Sequence, residues 1–120
     1  MDMAAAHGLL VMLDMHRLQG AVWPTSHGLW HDLAGGLPAA RLEAAWHKLT
    51  ARFCSHWNVF AADIFNEPWG ATWGDSDAAR DWSLYAARLG NLILGVCPRW
   101  LVFVEGVGNG AGDYWCDLCF

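Results

Sequence analysis

The sequence predicts an α/β fold in which a parallel sheet is covered by helices. Three short apolar runs, at residues 9–15, 59–65 and 100–104, are nearly continuous, which is typical of strands buried on both faces. Two stretches between these runs repeat apolar residues at spacings of three and four, the pattern of amphipathic helices. Strands and helices that alternate in this way form a parallel sheet through right-handed crossovers.

Composition limits the class of protein. The 120 residues are 55% hydrophobic and 16% charged, which predicts a packed chain of at most one domain. The purely apolar stretch at residues 9–13 is closed by Asp14 and that at residues 101–104 by Glu105, so neither approaches the roughly 18 residues that cross a bilayer. The net charge is −5, and the seven basic residues are scattered. We therefore expect no membrane span and no nucleic-acid partner.

The first and last residues are predicted to lie inside a larger fold. Residues 1–8 have the pattern of a final helical turn capped by Gly8, without the basic and apolar segments of a secretory signal. Residues 113–120 end without a closing helix or strand. We expect residues 1–120 to form one partial domain that is truncated at both ends.

Two helices are predicted between the strands. The first begins near Pro38, and the second runs from about residue 78 to residue 96, with Asp75 or Asp77 as its cap. Cys54 and Cys97 end these helices and fit buried thiols; the even number of cysteines is also compatible with disulfides in a secreted protein, but the sequence does not give their pairing. The apolar stripes are Leu42, Ala45, Trp46, Leu49 and Phe53 on the first helix, and Trp82, Ala86, Leu89, Ile93 and Val96 on the second.

The segments that follow the strands are long, whereas those that precede them are short. In α/β folds the functional site lies where the strands end, in the loops at their carboxyl ends. Trp46 and Trp82 lie on the helix stripes and are predicted to be core residues. Five of the nine tryptophans lie in the long loops instead, and these are Trp23, Trp30, Trp69, Trp73 and Trp115.

Carboxylates are predicted at the ends of two neighbouring strands. The second apolar run continues as Asp63-Ile64-Phe65-Asn66-Glu67-Pro68, and strand alternation would place Asp63 and Glu67 on one face. A carboxyl group near apolar walls acquires a raised pKa and can act as a general acid. The alternative is that Glu67 only opens a turn fixed by Pro68. The first run brings Asp14 and His16 to the same edge, which favours a functional site.

Two other motifs carry little weight. Residues 106–111 match the dinucleotide pattern G-x-G-x-x-A, but the chain ends before the required helix and acidic residue could follow. Cys116 and Cys119 form a single C-x-x-C, which lacks the second ligand pair of a zinc site. Neither a metal nor an organic cofactor is implied.

The Asp63–Pro68 segment, preceded by Asp14-Met15-His16, resembles the cellulases of glycoside hydrolase family 5, which are clan A (β/α)8 barrels. The resemblance continues through Asp81-Trp82 and residues 87–91 to residues 101–107, and it covers nearly the whole chain. It implies a partial TIM barrel with about three of the eight strands, from the family's third strand to the loop after its fifth. A complete barrel takes about 250 residues, so these residues form less than half of one.

The resemblance implies a retaining hydrolase of a β-linked polysaccharide, acting as an endo-β-1,4-glucanase. Glu67 matches the family's general acid/base, Asn66 matches the amide that holds the sugar 2-hydroxyl, and His16 matches the histidine of the third strand. Retaining enzymes need a second carboxylate about 5 to 5.5 Å away. The family's nucleophile is a glutamate at the end of its seventh strand, which this chain lacks.

Glu105 is the other carboxylate at a strand end. Neighbouring strands lie about 4.8 Å apart, so geometry alone permits Glu105 as the nucleophile. The family carries a glutamate here without using it for attack, so we expect a hydrogen-bonding, substrate-binding residue instead. Because an indole offers an apolar face and an N–H donor, Trp73 and Trp23 are our candidate sugar platforms.

Two alternatives stay open. One is another β-glycosidase of the same family, which acts on mannan, β-1,3-glucan or a glycolipid. The other is an inactive carbohydrate-binding remnant. The family also implies an extracellular location.

Overall fold

The computed structural model describes residues 1–18, 28–74 and 76–107, and within them helices and strands alternate as predicted. The helices are α1 (Asp2–Ala6), α2 (Ala40–Phe53) and α3 (Trp82–Val96), and the strands are β1 (Val11–Asp14), β2 (Val59–Asp63) and β3 (Leu101–Phe103). Gly8 follows α1 with a φ of +68°, the left-handed conformation expected of the glycine that ends a helix. None of the helices in these described residues is long and apolar enough to cross a membrane.

The three strands form one parallel sheet in the order β1-β2-β3. Each strand therefore pairs with the next strand along the chain, and α2 and α3 make the connections. The register aligns Asp14 with Asp63, and Asp63 with Phe103. Because the strands are parallel and in register, their carboxyl ends meet at one edge of the sheet.

One face of the sheet is covered by α2 and α3. Trp46 and Trp82, both predicted to be core residues, are fully buried. The indole Nε1 of Trp46 donates a hydrogen bond of 2.9 Å to the carbonyl oxygen of Ile64, so this core residue also anchors the chain just after β2. Leu89 and Ile93 of α3 are fully buried as well, which confirms the centre of the predicted stripe.

The other face of the sheet is open. Met12 of β1 and Leu101 and Phe103 of β3 occupy aligned positions on this face, and they are 43%, 58% and 44% exposed. In a complete (β/α)8 barrel the corresponding face is filled by packed apolar side chains. The core of the described residues therefore lies between the sheet and its helices.

One local prediction, the cap of α3, is wrong. The cap of α3 is Asp81 instead of Asp75 or Asp77, because its side chain accepts the N–H groups of Ser83 and Leu84. Asp77 instead organises the preceding turn, where its Oδ1 accepts the N–H of Ala79. Asp75 lies outside the described residues.

Trp30, one of the tryptophans in the long loops, is buried. Its side chain is only 2% exposed and stacks on Tyr85 of α3 with ring centroids 4.7 Å apart. Trp30 therefore belongs to the core.

A disulfide joins Cys54 to Cys97, which settles the alternative that the sequence left open. The two residues follow the last turns of α2 and α3, so the bond ties these helices together at their carboxyl ends. The guanidinium Nε of Arg99 donates to the Cys54 carbonyl at 2.8 Å, and this contact reinforces the same junction.

Candidate active site

The polar residues predicted for the site lie together past the carboxyl ends of the strands. His16 lies two residues after the end of β1, Asn66 and Glu67 follow β2, and Glu105 lies two residues after β3. This edge is the place where loops build binding sites in barrels of parallel strands. Of the predicted site residues, Trp23 lies outside the described residues.

Glu67 has an unusual backbone conformation. Its φ is +48°, and it is the only residue other than glycine with a positive φ in the described part of the chain. For a residue with a side chain, such a conformation costs on the order of 1–3 kcal/mol and persists only where the surroundings hold it. β2 ends at Asp63, so the strand alternation expected to continue to Glu67 stops four residues earlier.

Contacts on both sides hold Glu67 in this conformation. Its N–H donates a 2.8 Å hydrogen bond to Oε2 of Glu105, and its carbonyl accepts the N–H of Trp69 at 2.7 Å. The following residue, Pro68, is buried, which fixes the direction in which the chain leaves. The turn expected at Pro68 is present, and it presents the Glu67 side chain at the strand edge.

Glu105 is anchored in turn by the start of α3. The indole Nε1 of Trp82 donates a 2.9 Å hydrogen bond to the carbonyl oxygen of Glu105. Because Trp82 is fully buried, this bond joins the segment after β3 to the core. The position of Glu67 thus depends on residues that lie 15 to 38 positions later in the chain.

Asn66 and His16 complete the described part of the edge. The N–H of Asn66 donates to the Met15 carbonyl at 3.2 Å, which links the segments that follow β1 and β2. Nδ1 of His16 lies 2.8 Å from Oδ2 of Asp14, so the carboxylate orients the imidazole ring. The side chain of His16 is 50% exposed and accessible to a ligand.

Asp63 is a member of the site that sequence reasoning placed on the strand face without a role. Burial raises the pKa of Asp63 from 3.8 to about 7, and the nearby charges of Glu105 and Asp14 contribute to this increase. A hydrogen bond between the side chains of Asp63 and Glu105 raises the pKa further, whereas the backbone at Phe65 lowers it. The signal in the sequence was an acidic residue in or just after each of the three strands.

The loop tryptophans differ in accessibility. Trp73 is 45% exposed, so its indole is available for contact with a ligand. Trp69 packs against Gly28, where even a Cβ would come within 2.6 Å of the indole. Trp115 lies outside the described residues, as do Cys116 and Cys119 and most of the glycine-rich segment. Across residues 1–18, 28–74 and 76–107, no His, Cys, Asp or Glu side chains group as three metal ligands would.

Comparison with known proteins finds similarity to cellulases over nearly the full chain. The family model for cellulase (glycosyl hydrolase family 5) matches residues 1–116. The chain is 37% identical to an endoglucanase from Paenibacillus polymyxa over 124 residues, which is 95% of the chain and 29% of that protein. It is 36% identical to the major extracellular endoglucanase of Xanthomonas campestris pv. campestris, covering 92% of the chain and 23% of that protein.

Solved structures show the same likeness in three dimensions. The structure of an endocellulase from Pyrococcus horikoshii in complex with cellotetraose superimposes with a TM-score of 0.78 and 36% identity. The match covers 92% of this chain and 32% of that one. The predicted fold class, a three-strand section of a (β/α)8 barrel, is confirmed. The chain spans less than a third of each of these proteins.

Proposed function

Because the chain belongs to glycosyl hydrolase family 5, the cellulase family, we propose that it supplies the acid/base half of the active site of a retaining endo-β-1,4-glucanase. Residues 1–120 are then part of the catalytic domain. We use the term complete enzyme for the protein in which this chain is joined to the remaining strands of the barrel. The observation that carries the proposal is the way Glu105 holds Glu67 where the three strand ends meet.

In the first step, Glu67 acts as the general acid. Its carboxyl group donates a proton to the glycosidic oxygen while the bond from that oxygen to the anomeric carbon breaks. A nucleophilic carboxylate from another part of the barrel forms a bond to the same carbon, giving a covalent glycosyl-enzyme. In the second step, the Glu67 carboxylate takes a proton from water as the water oxygen attacks that carbon and releases the nucleophile.

Glu105 is poorly suited to be the nucleophile. Its Oε2 accepts the N–H of Glu67, and its side chain also hydrogen-bonds to Asp63. A nucleophile must direct an oxygen lone pair at the anomeric carbon, whereas these contacts direct the Glu105 carboxylate at the backbone of Glu67 and at Asp63. Glu105 is proposed instead as a hydrogen-bonding residue of the barrel mouth.

The other polar and aromatic residues are proposed to bind the sugar. Asn66 lies beside the acid/base and would hold the 2-hydroxyl, while His16, oriented by Asp14, would bond to a neighbouring hydroxyl. The exposed indole of Trp73 would stack on the apolar face of a pyranose ring. Trp23 stays a second candidate platform on sequence grounds.

The substrate is proposed to be a cellulose-like β-linked polysaccharide or oligosaccharide. Similarity to endoglucanases and to an endocellulase in complex with cellotetraose supports this class. Mannan, β-1,3-glucan and a glycolipid are the alternatives, and relative kcat/KM values of the complete enzyme on these substrates would distinguish them. If the rest of the sequence lacks a later strand ending in glutamate, the protein is a carbohydrate-binding remnant.

Substitution of Glu67 by glutamine in the complete enzyme tests the acid/base assignment. We expect kcat/KM on cellotetraose to fall by about 10²–10⁴, because general acid catalysis contributes that much to departure of a sugar alcohol. On 2,4-dinitrophenyl β-cellobioside, whose leaving group needs no protonation, the loss in kcat/KM should stay below about fivefold. Equal losses on both substrates would refute the assignment.

A glutamate on the helical side of the sheet provides the matched control. Glu43 of α2 pairs with Arg88 of α3 at 3.1 Å, within the helical layer. The Glu43→Gln variant removes the same charge and should leave both kcat/KM values unchanged.

The isolated 120-residue chain is proposed to be inactive. The three strands that the structure describes do not include the family's seventh strand, so no carboxylate among the described residues is assigned to form the glycosyl-enzyme. Reducing-sugar release from soluble β-glucan should not exceed that of the Glu67→Gln chain. Release with retention of configuration would show that the chain contains its own nucleophile.

An extracellular location is proposed for the complete enzyme. One relative is named as a major extracellular endoglucanase, and the Cys54–Cys97 disulfide is typical of oxidising compartments. Activity found in the medium rather than in the cells of the producing organism would support this proposal.

A further inference from the structure

We propose that Asp63 and Glu105 share one proton and together position the backbone of Glu67 for general acid catalysis. This inference rests on the proposed role of Glu67 as the acid/base. It assigns a positioning role to Asp63 and Glu105, and neither residue need touch the substrate.

The hydrogen bond between Glu105 and Glu67 fixes the backbone of Glu67. Oε2 of Glu105 accepts the N–H of Glu67 at 2.8 Å, and this bond supports the left-handed φ of +48°. Without the acceptor, Glu67 would have both a strained conformation and an unpaired N–H in a part-buried position. Because the side chain projects from this backbone, a change in φ would displace the carboxyl group.

Glu105 itself needs a partner on its other side. The backbone carbonyl of Glu105 is held by the indole of Trp82, whereas its carboxylate hydrogen-bonds to the side chain of Asp63 at the end of β2. Two carboxyl groups can form a hydrogen bond only when one of them carries a proton, since two carboxylates offer acceptors alone. Oδ1 of Asp63 is buried and has no hydrogen-bond partner among the described residues, so a shared proton would supply a polar link between Asp63 and Glu105.

The charges around Asp63 favour its protonated form. Among the described residues, the charges that raise the pKa of Asp63 are those of Glu105, from the segment after β3, and Asp14, from β1. Glu67 follows in the segment after β2. His16 is engaged with Asp14, and the contacts made by α3 in this region come from the uncharged indole of Trp82. Burial raises the pKa of Asp63 to about 7, so much of it stays protonated at neutral pH.

Loss of the shared proton would release Glu67. Two adjacent carboxylates repel each other, so Glu105 would move away from Asp63 and weaken its bond to the Glu67 N–H. A displacement of about 1 Å at a catalytic group can cost about 10²-fold in rate. The pair would therefore link the position of the acid/base to pH.

A leaving-group comparison in the complete enzyme tests the positioning role. In Glu105→Leu, a side chain of similar size that accepts no hydrogen bond, we expect kcat/KM on cellotetraose to fall by about 10²-fold. On 2,4-dinitrophenyl β-cellobioside the loss should stay below about fivefold, because that substrate needs no acid. Glu105→Gln keeps an acceptor for the Glu67 N–H and a donor for Asp63, so it should recover most of the loss.

A structural control separates positioning from general damage. Leu89→Ala removes buried side-chain volume from α3 at a site away from the strand ends, and it should lower stability without changing the ratio of the two kcat/KM values. If Glu105→Leu behaves like Leu89→Ala, the positioning role is refuted. If Glu67→Gln itself shows no leaving-group dependence, the proposed function fails first and the inference fails with it.

A titration observes the shared proton directly. In the Glu67→Gln enzyme, which lacks the ionisation of Glu67 itself, the backbone amide shift of residue 67 should titrate with an apparent pKa near 7. The Asp63→Asn substitution replaces the shared proton with an amide donor that does not ionise, so this step should disappear in the double variant. An amide shift that is flat near pH 7 in the single variant would overturn the proposal, as would a step that persists in the double variant.

Discussion

Removal of the Cys54–Cys97 disulfide should strongly destabilise the protein. The bond joins residues 43 positions apart, and the chain-entropy treatment relates the effect to the logarithm of this separation. For a loop of this length the expected loss in the free energy of unfolding is about 4 kcal/mol. In the folded state the bond connects the ends of α2 and α3, the two helices that cover the sheet.

The measurement is urea unfolding of the complete enzyme and of its Cys54→Ala/Cys97→Ala variant, followed by circular dichroism. Alanine avoids placing a polar hydroxyl at the fully buried position of Cys97. The transition midpoint should fall, and activity in the absence of urea should be kept, because the bond lies at the opposite end of the sheet from Glu67.

Reductant provides the control. Reduction of the wild type should lower the free energy of unfolding by the same amount as the double substitution. Reductant should have no further effect on the double variant unless other cysteines are paired. A loss of less than about 1 kcal/mol, with unchanged m-value, would show that the bond adds little to what packing already provides. The hydrogen bond from Arg99 to the Cys54 carbonyl would then be the contact that maintains this junction.

Three further predictions concern the core, the carboxyl pair and the sugar platform. Trp46→Phe removes the indole donor to the buried Ile64 carbonyl, and the free energy of unfolding measured in urea should fall by about 1–3 kcal/mol. Asp63 has a folded-state pKa of about 7, above its unfolded value, so the folded state binds the extra proton. The contribution of this proton to the free energy of unfolding is complete below about pH 4 and is lost as the pH rises to about 7. In unfolding curves measured at a series of pH values, Asp63→Asn should abolish this decline. Trp73→Ala should lower kcat/KM on cellotetraose by about 3- to 10-fold through lost stacking, whereas substitution of Trp57, which is more exposed but lies before β2, by alanine should not.

The elements of the fold were predictable because each one is marked by local sequence. The continuous apolar runs became β1, β2 and β3, and the helix stripes centred on Trp46 and Trp82 became buried. Trp30 could not be assigned in the same way, because its neighbours in sequence are typical of loops. Its burial depends on stacking against Tyr85, which lies 55 positions later and has no local signal.

The cap of α3 and the conformation of Glu67 show a second limit of prediction from local sequence. Three aspartates precede α3, and the pairing of Thr72 with Asp81 selects the last of them as the cap. Strand alternation predicted an extended Glu67, whereas the observed φ of +48° is held by the hydrogen bond that the Glu67 N–H donates to Glu105, 38 positions away. Local propensity gives no indication of such a bond, since it depends on the register of two strands.

The described contacts that orient Glu67 lie within this chain, whereas other parts of the proposed site would come from the rest of the enzyme. The hydrogen bonds described to the Glu67 backbone come from Glu105 and Trp69, both within this chain. The acid/base can therefore be oriented by local residues before the nucleophile strand is added. By contrast, the apolar face that carries Met12, Leu101 and Phe103 stays exposed until other strands cover it. In the proposed mechanism this chain places the proton donor, whereas the remaining strands of the barrel would cover this face and supply the carboxylate that attacks.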